Sequence, residues 1–150
     1  MTDDWFDVLV ALLDAGARFL VVGAHAMATH GVPRGTQDLD LWVDPDPANA
    51  GRVWQALVAF GAPLLSIGVT EADFTRPQRV VQVGLPPNRI DLLTGISGVE
   101  RFEDAWTSRT VVEVRGRQVP FLGRAALIAN KRATGRPKDV ADLHALGEQP

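Results

Sequence analysis

Apolar residues recur along this chain with two different periods, and the switches between them predict an alternating order of helices and strands. Between Asp3 or Asp4 and about Ala15, Phe6, Leu9, Val10 and Leu13 share one helical face, with an aspartate as N-cap and Gly16 as the stop. Arg18 to Gly23 then reads as a buried strand and Ala24 to His30 as a short helix. The loop Gly31-Val32-Pro33-Arg34-Gly35 leads into a strand from Asp38 to Val43. Pro45 and Pro47 end that strand. The spacing of Val53, Trp54, Leu57, Val58 and Phe60 then predicts an amphipathic helix from Pro47 or Ala48 to Phe60, closed by Gly61.

Residues 61 to 78 carry no clear period. Arg79 to Gly84 and Arg89 to Leu93 flank Leu85-Pro86-Pro87-Asn88 as a hairpin, and Val111 to Val114 with Gln118 to Leu122 form another around Arg115-Gly116-Arg117. Two helices follow, Arg124 to Thr134 and Pro137 to Leu146, with Gly135 between them. The expected architecture is one α/β domain over residues 1–150, a mixed β-sheet flanked by helices with two helices at the C-terminal end.

Composition adds exclusions. At 46% apolar and 22% charged residues the chain is too hydrophobic for disorder, and with no cysteine it holds neither disulfides nor thiolate metal sites. The longest apolar run, Phe19 to Ala28, is broken by His25 and is far short of a membrane span, so a cytoplasmic protein without a membrane partner is expected. Three histidines, His25, His30 and His144, form no zinc-like spacing, and His25 is read as packed or capping before it is read as a pocket residue. The four tryptophans are read as core.

Charge is unevenly spread. Residues 1–50 carry eight acids and two bases, whereas Arg115 to Lys138 has seven bases and no acid. That segment is either a solvated charge run or an anion site. Thirteen of the fifteen basic residues are Arg, and the only two lysines, Lys131 and Lys138, both fall within the segment, where a compact point charge suits a phosphate.

The acidic end holds the sharper signal. Asp38 and Asp40 are one residue apart on a predicted strand, so both carboxylates leave the same face, roughly 6 to 7 Å apart along the backbone, while Leu39 and Leu41 face a core. Like charges held so close raise one another's pKa unless a hard, oxygen-loving divalent ion compensates. Asp91 alternates with Ile90 and Leu92 in a second predicted core strand. It either pairs with a surface Arg at the strand end or, if the two strands are neighbours, completes a carboxylate triad able to hold two divalent ions.

Val22-Gly23-Ala24, thirteen intervening residues, Asp38-Leu39-Asp40 and the distal Asp91 together resemble the DNA polymerase β-like nucleotidyltransferase superfamily. The lead-in Arg34-Gly35-Thr36-Gln37-Asp38-Leu39-Asp40 and the tail Arg136-Pro137-Lys138-Asp139-Val140-Ala141-Asp142 are similar to bacterial AbiEii-like nucleotidyltransferases. The resemblance implies transfer of a nucleoside monophosphate from an NTP to an acceptor hydroxyl on RNA, protein or a small molecule, in a toxin-antitoxin setting with a cognate partner protein. It implies two Mg²⁺, with Mn²⁺ as a substitute, on Asp38, Asp40 and Asp91. It also implies a nucleotide site at Gly23, Ala24, Arg34, Thr36, Arg136 and Lys138, with Lys131 and Asp139 in catalytic roles; Asp142 is read as a helix-surface charge near Lys138. Ala24 stands where that superfamily has Gly or Ser, which keeps a second expectation open: a catalytically degenerate module serving as a binding partner.

Overall fold

A computed structural model describes residues 1–150. Its strands are β1 (Phe19–Val22), β2 (Asp38–Val43), β3 (Val80–Val83), β4 (Arg89–Leu93), β5 (Thr110–Val114) and β6 (Arg117–Phe121). The helices are α1 (Asp3–Asp14), α2 (Gly23–Thr29), α3 (Pro47–Phe60), α4 (Phe102–Thr107), α5 (Arg124–Thr134) and α6 (Pro137–Ala145). One mixed sheet runs β3-β4-β2-β1-β6-β5, with β2–β4 and β1–β6 parallel and the other pairs antiparallel. The α/β architecture expected from the alternating periods is therefore present, including both hairpins and the paired C-terminal helices.

Helices cover both faces of this sheet. On one face Phe19, Val21, Leu39, Leu41, Ile90 and Leu92 pack with α1 and α3 in a cluster of 22 buried residues. On the other, Leu20, Val22 and Trp42 meet residues of α2, α4 and α5 in a cluster of 10. The central strand β1 is buried along its whole length, as a strand sandwiched by helices must be. Asp38 and Asp40 alternate with Leu39 and Leu41, so the carboxylates emerge on the α2 and α5 side while the leucines enter the larger core.

Local chemistry sets the element ends, with some differences from the sequence reading. The cap of α1 is Thr2, whose hydroxyl accepts from Trp5 N–H, and Asp3 and Asp4 are first-turn acids that favour the positive end of the helix dipole. Asp46 caps α3 through Ala48 and Asn49, and Gly61 closes it in the left-handed conformation that glycine adopts at least cost. Between 61 and 78 the chain forms a short 3-10 turn at Glu71–Thr75 that buries Phe74. The six-residue α4 is too short to show a helical period, and the sequence reading leaves it out.

Candidate active site

Strands β2 and β4 run side by side, in parallel, with Asp40 opposite Asp91 and Asp38 opposite Arg89. One oxygen from each of Asp38, Asp40 and Asp91 lies within 4.8 Å of the others. The two strands are thus neighbours, and the third carboxylate joins the pair. Burial, followed by the charges of Asp91 and Asp38, pushes the Asp40 carboxyl up to about 6. Burial also raises Asp91, against the pull of Arg89. Asp91 Oδ1 is buried and accepts no hydrogen bond. Three oxygen donors with excess negative charge, one of them a buried oxygen that accepts no hydrogen bond and has only the Arg89 charge beside it, fit a divalent cation that prefers oxygen ligands.

Glycine is required beside them for a steric reason. Gly23, at φ +69, opens α2 against β2, and a Cβ built there would collide with Asp40 Oδ2. Asp40 is packed on bare backbone. Asp38 is aligned by Thr36, whose hydroxyl accepts from Asp38 N–H at 3.1 Å.

A polar cavity of 370 Å³ opens in front of Asp38 and Asp40. Gly23, Ala24, Arg34 and Thr36 line it on the triad side; Lys131, Arg136 and Lys138 line it from the C-terminal helices. Asp38 and Asp40 and the basic residues Lys131, Arg136 and Lys138, which lie ninety residues or more further along the chain, therefore meet across one space. Asp91 does not reach the cavity wall, and neither does Asp139.

The basic wall is partly neutralised from behind. Lys131, almost wholly buried, pairs with Asp142 at 2.9 Å and Asp139 at 3.4 Å. Arg136 Nε donates to Asp139 at 2.7 Å, and Arg34 pairs with Asp142 from the loop before β2. Burial works to raise Asp139, but hydrogen bonds from Arg136 and Thr134, with the Lys131 charge, hold its carboxyl well below the usual range. Asp142 is buried rather than a surface charge near Lys138: the ion pairs to Lys131 and Arg34 draw it inward, which a helix wheel alone does not reveal. Lys138 is exposed and makes no ion pair, so its charge stays available to the cavity.

No known protein-family profile matches the chain, and no curated protein matches it in sequence. Among solved structures it is similar to a Thermotoga maritima protein provisionally described as a nucleotidyltransferase, with a TM-score of 0.63. That likeness covers 97% of this chain and 93% of the other at 16% identity. The chain has the nucleotidyltransferase fold. No helix of it is long and apolar enough to cross a membrane.

Other side chains around this nucleotidyltransferase-fold site sort by their contacts. His25 does not line the cavity; it packs edge-on against Trp5 at 5.0 Å between ring centres, and burial lowers its pKa. Trp5 and Trp42 are buried core residues, while Trp106 stacks with Phe102 and lies within cation–π distance of the guanidinium groups of Arg18 and Arg109. Sequence reasoning missed Asp142, Asn130 and Ser97 at the cavity, whereas Arg89, the first residue of β4, is the strand-end arginine that one reading of Asp91 allows, so both alternatives for Asp91 hold at once. Arg89 was detectable, because it lies two residues before Asp91 on a strand and must share its face.

Proposed function

We propose that this protein is a divalent-metal-dependent nucleotidyltransferase that moves a nucleoside monophosphate from an NTP to an acceptor hydroxyl. The observation that carries this reading is the facing of Asp38 and Asp40 by Lys131, Arg136 and Lys138 across one 370 Å³ cavity, sized for a nucleotide phosphate chain. Asp38, Asp40 and Asp91 would hold Mg²⁺ or Mn²⁺. When bound, the metal supplies polarisation of the phosphoryl oxygens and acidifies the acceptor hydroxyl.

This chain's own groups do the rest. Arg34, Arg136 and Lys138 bind the phosphates and offset the charge that develops on the leaving pyrophosphate. Lys131, held by Asp139 and Asp142, presents a fixed ammonium with much of its charge already offset. In the transfer the acceptor oxygen bonds to the α-phosphorus, the bond to the pyrophosphate oxygen breaks, and the hydroxyl proton is released. The Arg34-to-Asp40 lead-in and the Arg136-to-Asp142 tail support an AbiEii-like enzyme of a toxin-antitoxin pair, with RNA or protein as acceptor.

A second reading, a module that binds without catalysis, draws on Ala24, which brings no hydroxyl to the cavity. Incubation with each NTP labelled at the α-phosphate, Mg²⁺, and total RNA or protein lysate separates the two. Label is expected in one acceptor fraction and lost in Asp38→Asn and Asp40→Asn. No transfer, together with no Mg-NTP binding by calorimetry, would defeat the enzyme reading.

A further inference from the structure

The triad already contains a cation. Arg89 faces Asp38 across the β2–β4 pairing and precedes Asp91 by two residues on β4, so the backbone commits its side chain to the triad face. Its Nη2 donates to Asp38 Oδ2 at 3.0 Å and reaches Asp91 Oδ2 at 3.4 Å, while its Nε stands 3.3 Å from Asp91 Oδ1. It makes no ion pair with Asp40.

The position of these contacts relative to the cavity matters as much as their lengths. Asp38 and Asp40 line the cavity, whereas Asp91 and Arg89 do not. The guanidinium therefore bridges Asp38, which lines the cavity, to Asp91, which does not, at the place where the two carboxylates would otherwise share an ion. A guanidinium does not lose its proton in proteins, so this charge is permanent. Three ionised carboxylates and one guanidinium leave two negative charges, the balance that one divalent ion meets.

We propose that Arg89 is the resident second cation of the centre: Asp38 and Asp40 offer one divalent-ion position to the cavity, and the position between Asp38 and Asp91 belongs to the guanidinium. This deepens the nucleotidyltransferase reading and rests on it. It replaces the pair of ions implied by sequence resemblance with one ion and one arginine. A fixed organic cation then holds Asp38 and Asp91 together and offsets their charge where a second metal would otherwise do so.

Manganese stoichiometry tests this without any turnover. Titration of the nucleotide-free protein at pH 8, with free Mn²⁺ counted by electron paramagnetic resonance, is expected to give one site in the wild type and two in Arg89→Gln. Arg89→Lys keeps the charge and is expected to stay at one. Two sites in the wild type, or one in a folded Arg89→Gln, overturns the proposal. Anomalous scattering from Mn²⁺-soaked wild-type crystals gives the same answer without a variant: one peak beside Asp38 and Asp40 with Arg89 still on Asp38 supports it, and a second peak between Asp38 and Asp91 overturns it. Asp40→Asn separates the two levels of inference. If that variant binds Mn²⁺ as the wild type does, the ion is not on the triad, and the functional reading falls together with the assignment of Arg89.

Discussion

Asp40 carries the sharpest electrostatic conflict in the molecule, half-buried between two other carboxylates. Its carboxyl is raised from 3.8 to about 6, a shift worth roughly 3 kcal/mol if fully desolvated and about 2 kcal/mol for a group with some access to water. Between these two pH values the unfolded chain has given up the proton that the folded chain keeps, so stability falls as pH rises through this window. In metal-free protein, Asp40→Asn is expected to match the wild type near pH 4 and to be more stable by about 2 kcal/mol at pH 8, as read by urea unfolding. A variant no more stable at pH 8 would remove the conflict from the account. Mg²⁺ should reverse the ranking, because it stabilises only the protein whose ligand set is complete. At this scale the sequence was informative about the carboxylates, since strand parity fixes which side chains share a face. The same parity puts Arg89 on the Asp91 face; what no local rule supplies is its contact with Asp38, which comes from a neighbouring strand.

At the scale of elements, the junction of α5 and α6 is held by charge. Asp139 has no exposed surface; it accepts from Arg136 N–H and from the Arg136 guanidinium, and pairs with Lys131. Removing such a carboxylate strands its partners, so Asp139→Ala is expected to cost about 3–5 kcal/mol in urea unfolding at pH 7. A loss below about 1 kcal/mol would mean that the pairing is incidental. Because the Asp139 carboxyl is depressed, its contribution is complete at neutral pH and fades as pH falls below the ordinary aspartate value near 3.8. These helices were legible from apolar spacing, Gly135 and Pro137, and the strands from their period of two bounded by turn residues. The interior standing of Lys131 and Asp142 was not. Their partners include Arg34, about a hundred residues upstream, and helix-face reasoning compares a residue only with its own turn-mates. The stretch from 61 to 78 failed for a different reason: its two buried anchors, Leu64 and Phe74, are ten residues apart, and Phe74 sits in a turn too short to repeat.

At the scale of the whole molecule, Asp38 and Asp40 of the acidic N-terminal third and Lys131, Arg136 and Lys138 of the basic segment share one cavity, while Arg115 and Arg117 pair with Asp3 and Asp14 outside it, a distribution that the net charge of -3 conceals. Lys138 is the exposed, unpaired member of the basic wall. Lys138→Gln is therefore expected to weaken Mg-NTP binding about tenfold by calorimetry without moving the melting temperature, and unchanged affinity would take the phosphates off this wall. The triad also has a history in time. Its carboxylates come from strands some fifty residues apart in the chain, so the triad is incomplete until β4 docks against β2, a long-range closure that is slow relative to local helix formation. Docking sets Asp40 directly against Asp91, a like-charged pair that would favour a slipped register. Arg89 arrives on the same strand and lands opposite Asp38 at the same moment. A chain still folding, with no ion yet captured, thus brings its own neutralising group to the step at which the sheet could misalign.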